Sequence, residues 1–299
     1  MNILLLIVGV SSGLSHSIYS AVSKSILKHR ISEPFLFFLY ISILQAAITP
    51  LLWFFLKPAV PPISGWIPLL LAGITGVVAF LFLYSALSSG DASSVMPIMG
   101  SKVIFAGFLA TFMLDEKHSW TIYFVAILVA ISIGILSYSP SAGGKSKFSG
   151  RPVLLMILCS IVFAFTDNYI TRSLKYIDSY NFMVYYNLII GLGSLAIIPY
   201  VKKKNVVLLL PVQDLWWSLI SAIFLVVATL LLTISFGIAE GVVIPNILVS
   251  TRGIFIVIIS AVLSYCGSTL LETQTRKIYL LRFVASSLII LSIWITLNK

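Results

Sequence analysis

The stretch IPLLLAGITGVVAFLFLYSAL, residues 67–87, contains no charged residue in 21 consecutive positions. A helix needs about 20 consecutive apolar residues to cross the hydrocarbon core of a bilayer, so this stretch is long enough to span a membrane. It is apolar on nearly all sides, whereas the strands of a membrane β-barrel alternate in polarity over about ten residues. The stretch therefore predicts a transmembrane helix.

The composition extends this conclusion to the whole chain. Hydrophobic residues make up 60% of the sequence and charged residues 9%, with a mean hydropathy of +1.10. Soluble proteins contain about 25% charged residues. The net charge of +10 comes mostly from lysines and arginines in short connections, as is typical of membrane flanks, so no nucleic-acid partner is expected. We predict an all-α integral membrane protein.

Apolar runs and the residues that interrupt them divide the chain into ten predicted spans. They are residues 2–23, 34–56, 65–88, 92–114, 119–138, 152–171, 179–201, 215–238, 242–265 and 278–297. We number them first to tenth in this order. The first span lacks a basic leading region and a small-residue cleavage site, so we expect it to be retained as a helix.

The segment SPSAGGKSKFSG, residues 139–150, has the composition of a linker and separates two sets of five spans. We therefore predict two five-helix repeats, residues 1–138 and 152–299, joined by a linker at 139–151. At an offset of 147 the halves share a few residues: Leu27 with Leu174, Lys28 with Lys175, Ser32 with Ser179, Phe35 with Phe182 and Lys57 with Lys204. Because five is odd, the second repeat enters the membrane inverted, an arrangement typical of secondary transporters.

Lys102 and Arg252 are single cations near the middle of the fourth and ninth spans, which hold equivalent places in the two halves. A charge at the bilayer centre costs at least about 2.5–3.5 kcal/mol, so each cation should face a cavity or a partner. Asp91 and Glu240 lie roughly 16 and 18 Å from these cations along their spans. They stand at the N-terminal ends of the two spans, where we expect them to cap the helices.

Two stretches connect the chain to a known family. GDASSVMPIMGSKVIFAGFLATFMLDEK, residues 90–117, resembles the fourth-helix signature of the EamA branch of the drug/metabolite transporter superfamily, including the acidic Glu116 that closes the helix. IPNILVSTRGIFIVIISAVL, residues 244–263, is similar to the ninth helix of that family. The resemblance implies ten helices in two repeats. It also implies ligand binding by basic residues on these two helices, as in the organic-phosphate translocators of the superfamily.

The two cations admit two explanations. In one, they pair across the bundle, with Asp167 of the sixth span as the candidate acid, or Lys102 binds carbonyls freed near Pro97. In the other, both cations face a shared cavity and receive an anionic group of a substrate, Arg252 through a bidentate fork. Two cations against one candidate acid leave a surplus, so we favour substrate contact and expect Asp167→Asn to be tolerated.

Further polar residues in the spans are candidates for the same site. His16 and Asp167 are candidates for proton coupling, although His16 fits equally a histidine hydrogen-bonded inside the bundle and Asp167 an interfacial pair with Arg172. The candidate substrate-binding residues are Lys102, Arg252, Tyr40, Gln45, Tyr185, Asn187 and Asn246. The neutral side chains in this set could equally form hydrogen bonds that hold the helices together.

The sequence offers little for catalysis. It has no HExxH motif, no P-loop and no GxSxG motif with a credible base, and its acids are dispersed. Cys159 and Cys266 lie in or beside apolar runs, as buried thiols do. We expect no enzyme activity, cofactor or metal. Without a nucleotide-binding domain, transport would be secondary.

We therefore predict a secondary transporter that moves a small polar, anionic or zwitterionic metabolite by alternating access. Two alternatives remain open: an exporter of amphiphilic or cationic compounds, which calls for an acidic cavity, and a non-transporting membrane subunit with structural ion pairs. The expected partners are a small-molecule substrate, the lipid bilayer and a proton or counter-substrate. The chain is expected in the inner (cell) membrane as a monomer or homodimer.

The orientation has two opposing indications. Connections after odd-numbered spans carry eleven cations, against five on the other side. The positive-inside rule then places both termini outside. The family resemblance implies termini in the cytoplasm.

Overall fold

A computed structural model describes residues 3–89, 96–116, 120–137, 150–265 and 276–297. Every regular element within these ranges is helical, which confirms the predicted all-α architecture. Most of the linker, residues 139–149, lies outside the described residues, as does Asp91.

The described residues of the first half form five α-helices. They are α1 (Ile3–His29), α2 (Pro34–Ile48), α3 (Ile63–Ser89), α4 (Lys102–Met113) and α5 (Trp120–Ser137). A 3₁₀ helix, Thr49–Phe54, continues α2, and a second one, Met96–Ser101, leads directly into α4. Pro at the second position of both 3₁₀ helices lacks a backbone N–H and favours such irregular turns.

Seven α-helices lie in the described part of the second half. They are α6 (Gly150–Ser173), α7 (Ser179–Ser194), α8 (Ile198–Lys203), α9 (Val212–Ala239), α10 (Val243–Val249), α11 (Arg252–Tyr265) and α12 (Arg276–Leu297). A 3₁₀ turn, Leu195–Ile197, joins α7 to α8. Each of the ten predicted spans overlaps helical structure. Among the residues that the structure describes, seven helical stretches are long and apolar enough to cross a membrane, and Ile98–Met113 and Tyr123–Ser132 are shorter apolar helices.

Large apolar side chains cover the outside of the helices. Ile67 is 65% exposed, Phe108 61%, Phe112 70% and Trp120 88%. A soluble monomer does not leave such extended apolar surface in water. This surface and the seven long apolar helices identify a multi-pass membrane protein.

The interior is built on aromatic contacts between helices. Phe37, Phe38 and Tyr84 are almost completely buried. The Phe80 ring lies edge-on to Phe163 of α6, with centroids 5.2 Å apart. The edge-to-face geometry stabilises such pairs beyond their area burial. These rings join α2, α3 and α6 into one core.

The fourth and ninth spans are both interrupted, and each interruption ends at the cation. The fourth span changes from 3₁₀ to α-helix at Lys102, the first residue of α4. The ninth span turns at Ser250 and Thr251 between α10 and α11, and Arg252 is the first residue of α11. The Thr251 hydroxyl donates to the carbonyl of Leu248 at 2.7 Å, a side-chain bond that competes with regular helix.

Helix α1 packs tightly against the interruption in the ninth span. A methyl group at Gly13 would lie 2.4 Å from Oγ1 of Thr251, so only glycine fits there. The Ser17 hydroxyl lies 2.9 Å from the carbonyl oxygen of Arg252. On the other half, the Ser160 hydroxyl of α6 is 3.4 Å from the carbonyl oxygen of Ile98 in the fourth span. Each interruption therefore rests on the first helix of the opposite half.

Candidate functional site

A cavity lies between the halves, where both interrupted spans meet the first helices of the two halves. Its lining comprises His16, Tyr19, Ser20, Phe80, Leu83, Met99, Lys102, Phe163, Thr166, Asp167, Ile170, Tyr186, Leu225, Thr229, Leu232, Thr233 and Arg252. About 40 Å³ is open to the centre of a water molecule. One water needs about 10–15 Å³ on that measure, so the cavity holds only a few waters as it stands.

Lys102 is paired. Its Nζ lies 2.7 Å from Oδ2 of Asp167, and both side chains are buried. Asn246 Nδ2 donates to the same carboxylate oxygen at 2.9 Å and to the carbonyl of Val242 at 3.0 Å. The fourth, sixth and ninth spans thus meet at one carboxylate. This is the cross-bundle pair that the sequence offered as one explanation, and it involves Lys102 rather than Arg172.

Arg252 has no such partner. Arg252 is only 7% exposed. Among the described residues, no carboxylate lies within ion-pairing distance of its guanidinium, and no hydrogen bond to that group is found. Its position at the start of α11 adds the positive end of a helix dipole to its own charge. The surplus positive charge inferred from the sequence therefore resides on Arg252.

His16 lines the same cavity from α1. Its Nδ1 lies 2.9 Å from the carbonyl oxygen of Ser12 and 3.3 Å from the Ser12 hydroxyl. His16 is therefore hydrogen-bonded inside the bundle and also lines the cavity, because only one of its ring nitrogens makes a hydrogen bond. Nε2 remains available on the other side of the ring.

None of the five predicted neutral residues is part of the cavity lining, although Asn246 contacts the lining residue Asp167. The Tyr40 hydroxyl donates to the carbonyl of Leu208 at 2.6 Å. Gln45 Nε2 is 3.3 Å from the carbonyl of Ile41 in its own helix. The Tyr185 ring packs against Trp53 and Trp66. Asn187 is fully buried, and neither atom of its amide has a hydrogen-bond partner within the described structure.

Several cavity residues were missed by the sequence analysis. Tyr19 and Ser20 follow His16 by three and four positions, a spacing that places them on the same face of α1, and this signal was available. Thr166 and Tyr186 are chain neighbours of the predicted Asp167 and Tyr185, but successive positions on a helix point in different directions. Thr233 lies in the largely apolar α9, so its polarity does not indicate which face meets the cavity.

The capping role expected of Glu240 is wrong. Glu240 ends α9 in a left-handed conformation with φ of 48°, and α10 begins after Val242 without a side-chain cap from it. The backbone N–H of Val242 instead donates to Oε1 of Glu116 at 3.1 Å. Burial raises the pKa of Glu116 above its ordinary value, while the hydrogen bond from Val242 and the charge of Lys175 oppose that rise. A residue from the first half therefore holds the start of the ninth span.

No group of three or more His, Cys, Asp or Glu side chains within the described ranges is arranged to hold a metal ion. Cys159, which the sequence placed in an apolar run, is a buried free thiol. Its Sγ lies 3.4 Å from the carbonyl oxygen of Ala79.

Comparison with known proteins supports the resemblance found in the sequence. Residues 3–138 match the EamA-like transporter family, within the drug/metabolite transporter superfamily. One solved crystal structure covers 99% of this chain and 99% of its own, with a TM-score of 0.71 and 15% sequence identity. At that identity the likeness shows a shared fold and no more. No curated protein sequence matches the chain.

Proposed function

We propose that this chain, whose residues 3–138 belong to the EamA-like transporter family, is a secondary transporter for a small anionic or zwitterionic metabolite. The substrate site is the cavity between Lys102 and Arg252, and the anionic group of the substrate binds Arg252. The observation that carries this proposal is the buried guanidinium of Arg252, which has no ion pair among the described residues.

The membrane topology we propose has ten spans. Contacts between connections and span ends support it, because each contact joins two positions that a ten-span count places on the same side. On one side Arg30 pairs with Asp214 at 2.9 Å and Lys204 with Glu33 at 3.1 Å; on the other Asn181 donates to the carbonyl of Lys57 at 3.2 Å and Val242 to Glu116 at 3.1 Å. A miscounted span between these connections would place one partner across the bilayer.

The proposed halves are residues 1–138 and 152–299, related by a twofold axis in the membrane plane. Helix packing supports this relation, since the main contacts keep their pattern when the halves are exchanged. Three pairs of contacts correspond in this way. The contact of α3 with α6 corresponds to that of α9 with α1, and the contact of α4 with α6 to that of α11 with α1. The contact of α3 with α7 corresponds to that of α9 with α2. An odd number of spans per half makes the two repeats inverted.

Charge selects the substrate class. Lys102 and Asp167 neutralise each other at 2.7 Å, which leaves the positive charge of Arg252 as the net charge of the lining when His16 is neutral. A cavity of positive charge disfavours the cationic compounds of the alternative function. Ser20, Thr229 and Thr233 also line the cavity. Each hydroxyl donates to a backbone carbonyl of its own helix, so its oxygen can accept a hydrogen bond from the polar remainder of a substrate.

The transport cycle we propose is alternating access. The cavity holds only a few waters, so a metabolite enters only after the halves move apart on one side. The interruptions at Lys102 and Arg252 are the natural hinges, because irregular helical turns in mid-span commonly mark such points. Asp167 and His16 are the candidate groups for proton coupling.

Ligand-dependent thermal stability of the purified protein tests this proposal. Anionic, zwitterionic, neutral and cationic metabolites of similar size are added to wild type and to Arg252→Met, and unfolding is followed by intrinsic fluorescence. A ligand at 100 times its Kd stabilises the folded state by about 2.7 kcal/mol. We expect stabilisation by anionic or zwitterionic compounds in wild type and its loss in Arg252→Met. Hits are then measured for uptake into proteoliposomes.

The other outcomes identify the alternatives. Stabilisation by cationic amphiphiles alone, retained in Arg252→Met, would identify an exporter of such compounds. Stabilising ligands without any uptake or exchange in proteoliposomes would identify a non-transporting membrane protein. A reporter fused at Lys299 determines whether the termini of the protein in the inner membrane face the cytoplasm or the outside.

A further inference from the structure

A second cavity lies on the outer surface of the bundle, separate from the central one. It is a groove between α1, α9 and α11, lined by Ile18, Ala21, Val22, Ser25, Ile26, His29, Arg30, Trp217, Ile259 and Leu263. About 450 Å³ is open to the centre of a water molecule, more than ten times the central cavity. Ligand pockets commonly measure roughly 300–1,000 Å³.

The groove has the length of one membrane leaflet. It follows α1 from Ile18 to His29 and ends at Arg30, a distance of ~18 Å at 1.5 Å per residue. One leaflet of the hydrocarbon core is about 15 Å deep. The groove is therefore long enough for one extended acyl chain, and its lining is apolar except near the end of α1.

The polar end of the groove carries basic groups. Lys28 and His29 lie in the last turn of α1, and Arg30 follows directly. One N–H of Arg30 donates to Asp214 at 2.9 Å, and its guanidinium lies 5.4 Å from the centre of the Trp217 ring. A guanidinium has five N–H donors in a fork that matches phosphate oxygens. Arg30 can therefore bind a phosphate and keep its ion pair with Asp214.

We propose that this groove binds an anionic phospholipid, with one acyl chain along α1 and its phosphate on Arg30. The occupant follows from the surroundings: the groove opens to the bilayer, its floor is apolar, and its charged end lies where lipid headgroups are. The connections on this side carry eleven cations, which further favours an anionic headgroup. The site joins α1 of the first half to α9 and α11 of the second, independently of the central cavity.

Native mass spectrometry of the full-length protein in detergent tests the proposal. The probes are phosphatidylglycerol and phosphatidylcholine with identical oleoyl chains. We expect wild type to retain one phosphatidylglycerol in preference to phosphatidylcholine. Arg30→Gln should lower that preference about tenfold, the loss typical of one hydrogen bond between charged groups. Lys202→Gln removes an exposed cation from the same side, away from the groove, and should change nothing.

Two further variants separate the groove from general electrostatics. Asp214→Asn breaks the ion pair but keeps Arg30, so phosphatidylglycerol should be retained at least as well as in wild type. Ala21→Phe and Ser25→Phe fill the groove and should abolish retention of that lipid while the unfolding temperature stays unchanged. Equal retention of both lipids by wild type, or full retention of phosphatidylglycerol by both groove-filling variants, would overturn the proposal. Release of phosphatidylglycerol by inorganic phosphate alone would mean that the acyl chain contributes nothing, and would overturn it too.

Discussion

Lys102 and Arg252 stand at equivalent interruptions in the two halves, yet their electrostatic surroundings differ. At the offset of 147 used to compare the halves, the position that corresponds to Asp167 is Ser20 in α1. Asp167 pairs with Lys102 at 2.7 Å, whereas the Ser20 hydroxyl donates to the carbonyl of His16 at 2.6 Å and carries no charge. Both interruptions end at a cation, but among the described residues an acid is paired with Lys102 alone of the two. One cation is neutralised within the protein and the other is left for a ligand, which gives the cavity a defined polarity.

The largest effect is expected for Asp167→Asn, which breaks the Lys102 side of this comparison. Removing one partner of a buried ion pair costs about 3–5 kcal/mol, because the remaining charge stays buried. From the sequence alone we expected Asp167→Asn to be tolerated, but the 2.7 Å distance between Lys102 and Asp167 leads to the opposite expectation. Thermal unfolding in detergent measures the loss.

The second substitution in this series identifies the partner. Lys102→Met in the Asp167→Asn background should restore most of the stability, and Arg252→Met in that background should not. Unchanged stability of Asp167→Asn would show that the pair is not a structural one. Rescue by Arg252→Met would show that the wrong cation has been assigned to Asp167.

A smaller effect is expected for Arg252→Ala, which removes the open side of the comparison. A hydrogen bond to a charged group contributes about 1.5–3 kcal/mol, so affinity for the stabilising anion should fall about 10- to 100-fold. Stability without ligand should hardly change, since Arg252 has no ion pair to lose within the described structure. Ligand titrations followed by thermal unfolding measure both quantities.

Two variants control this comparison. Arg252→Lys keeps the charge but loses the bidentate fork, so binding should remain weaker than in wild type. The double variant Lys102→Met/Asp167→Asn removes the neutral pair and keeps Arg252, so it should retain anion binding. Loss of binding in the double variant, together with normal binding in Arg252→Ala, would place the anion on Lys102.

The smallest effect concerns Glu116, which links the end of the Lys102 helix to the start of the Arg252 span. Glu116→Ala removes the acceptor for the Val242 N–H and should cost about 1 kcal/mol, as the loss of a helix cap does. Glu116→Gln keeps an acceptor oxygen and should cost less. Equilibrium unfolding of the three proteins measures the difference, and equal stability of Glu116→Ala and wild type would contradict the capping role.

Glu116 also predicts a pH dependence with a defined sign. Its pKa in the folded protein is raised above the ordinary 4.5, mainly by burial, so the folded state holds the proton longer than the unfolded state. The contribution of Glu116 to stability is therefore complete below pH 4.5 and is lost as pH rises through the folded pKa. Glu116→Gln should remove this component. A wild-type component of opposite slope would contradict it.

The sequence was sufficient for the helices and for the charged members of the cavity, and the reason is physical. Long apolar runs are required by the bilayer, and ionisable residues within them are costly enough to stand out. Lys102, Arg252, Asp167 and His16 were found in this way and line one cavity. Asn246, a neutral residue in the ninth span, does not line the cavity but donates a hydrogen bond to Asp167.

Neutral polar residues could not be assigned in the same way. In a soluble protein the polar face of a helix is recognised because the opposite face is apolar, but lipid-facing and buried faces of a membrane helix are both apolar. Tyr40 was selected although it hydrogen-bonds Leu208, and Tyr186 was missed although it lines the cavity. The interruption at Arg252 packs against α1 through the close contact of Gly13 with Thr251. The sequence of either segment alone does not reveal such a contact.

The small volume of the central cavity limits the passage of protons through it. Proton leak across a membrane needs a continuous file of water, and a space open to only a few molecules does not provide one. The fixed positive charge of Arg252 adds an electrostatic barrier to hydronium, as an arginine does in water channels that exclude protons. In the conformation described here, the central cavity therefore gives protons no continuous water path across the bilayer.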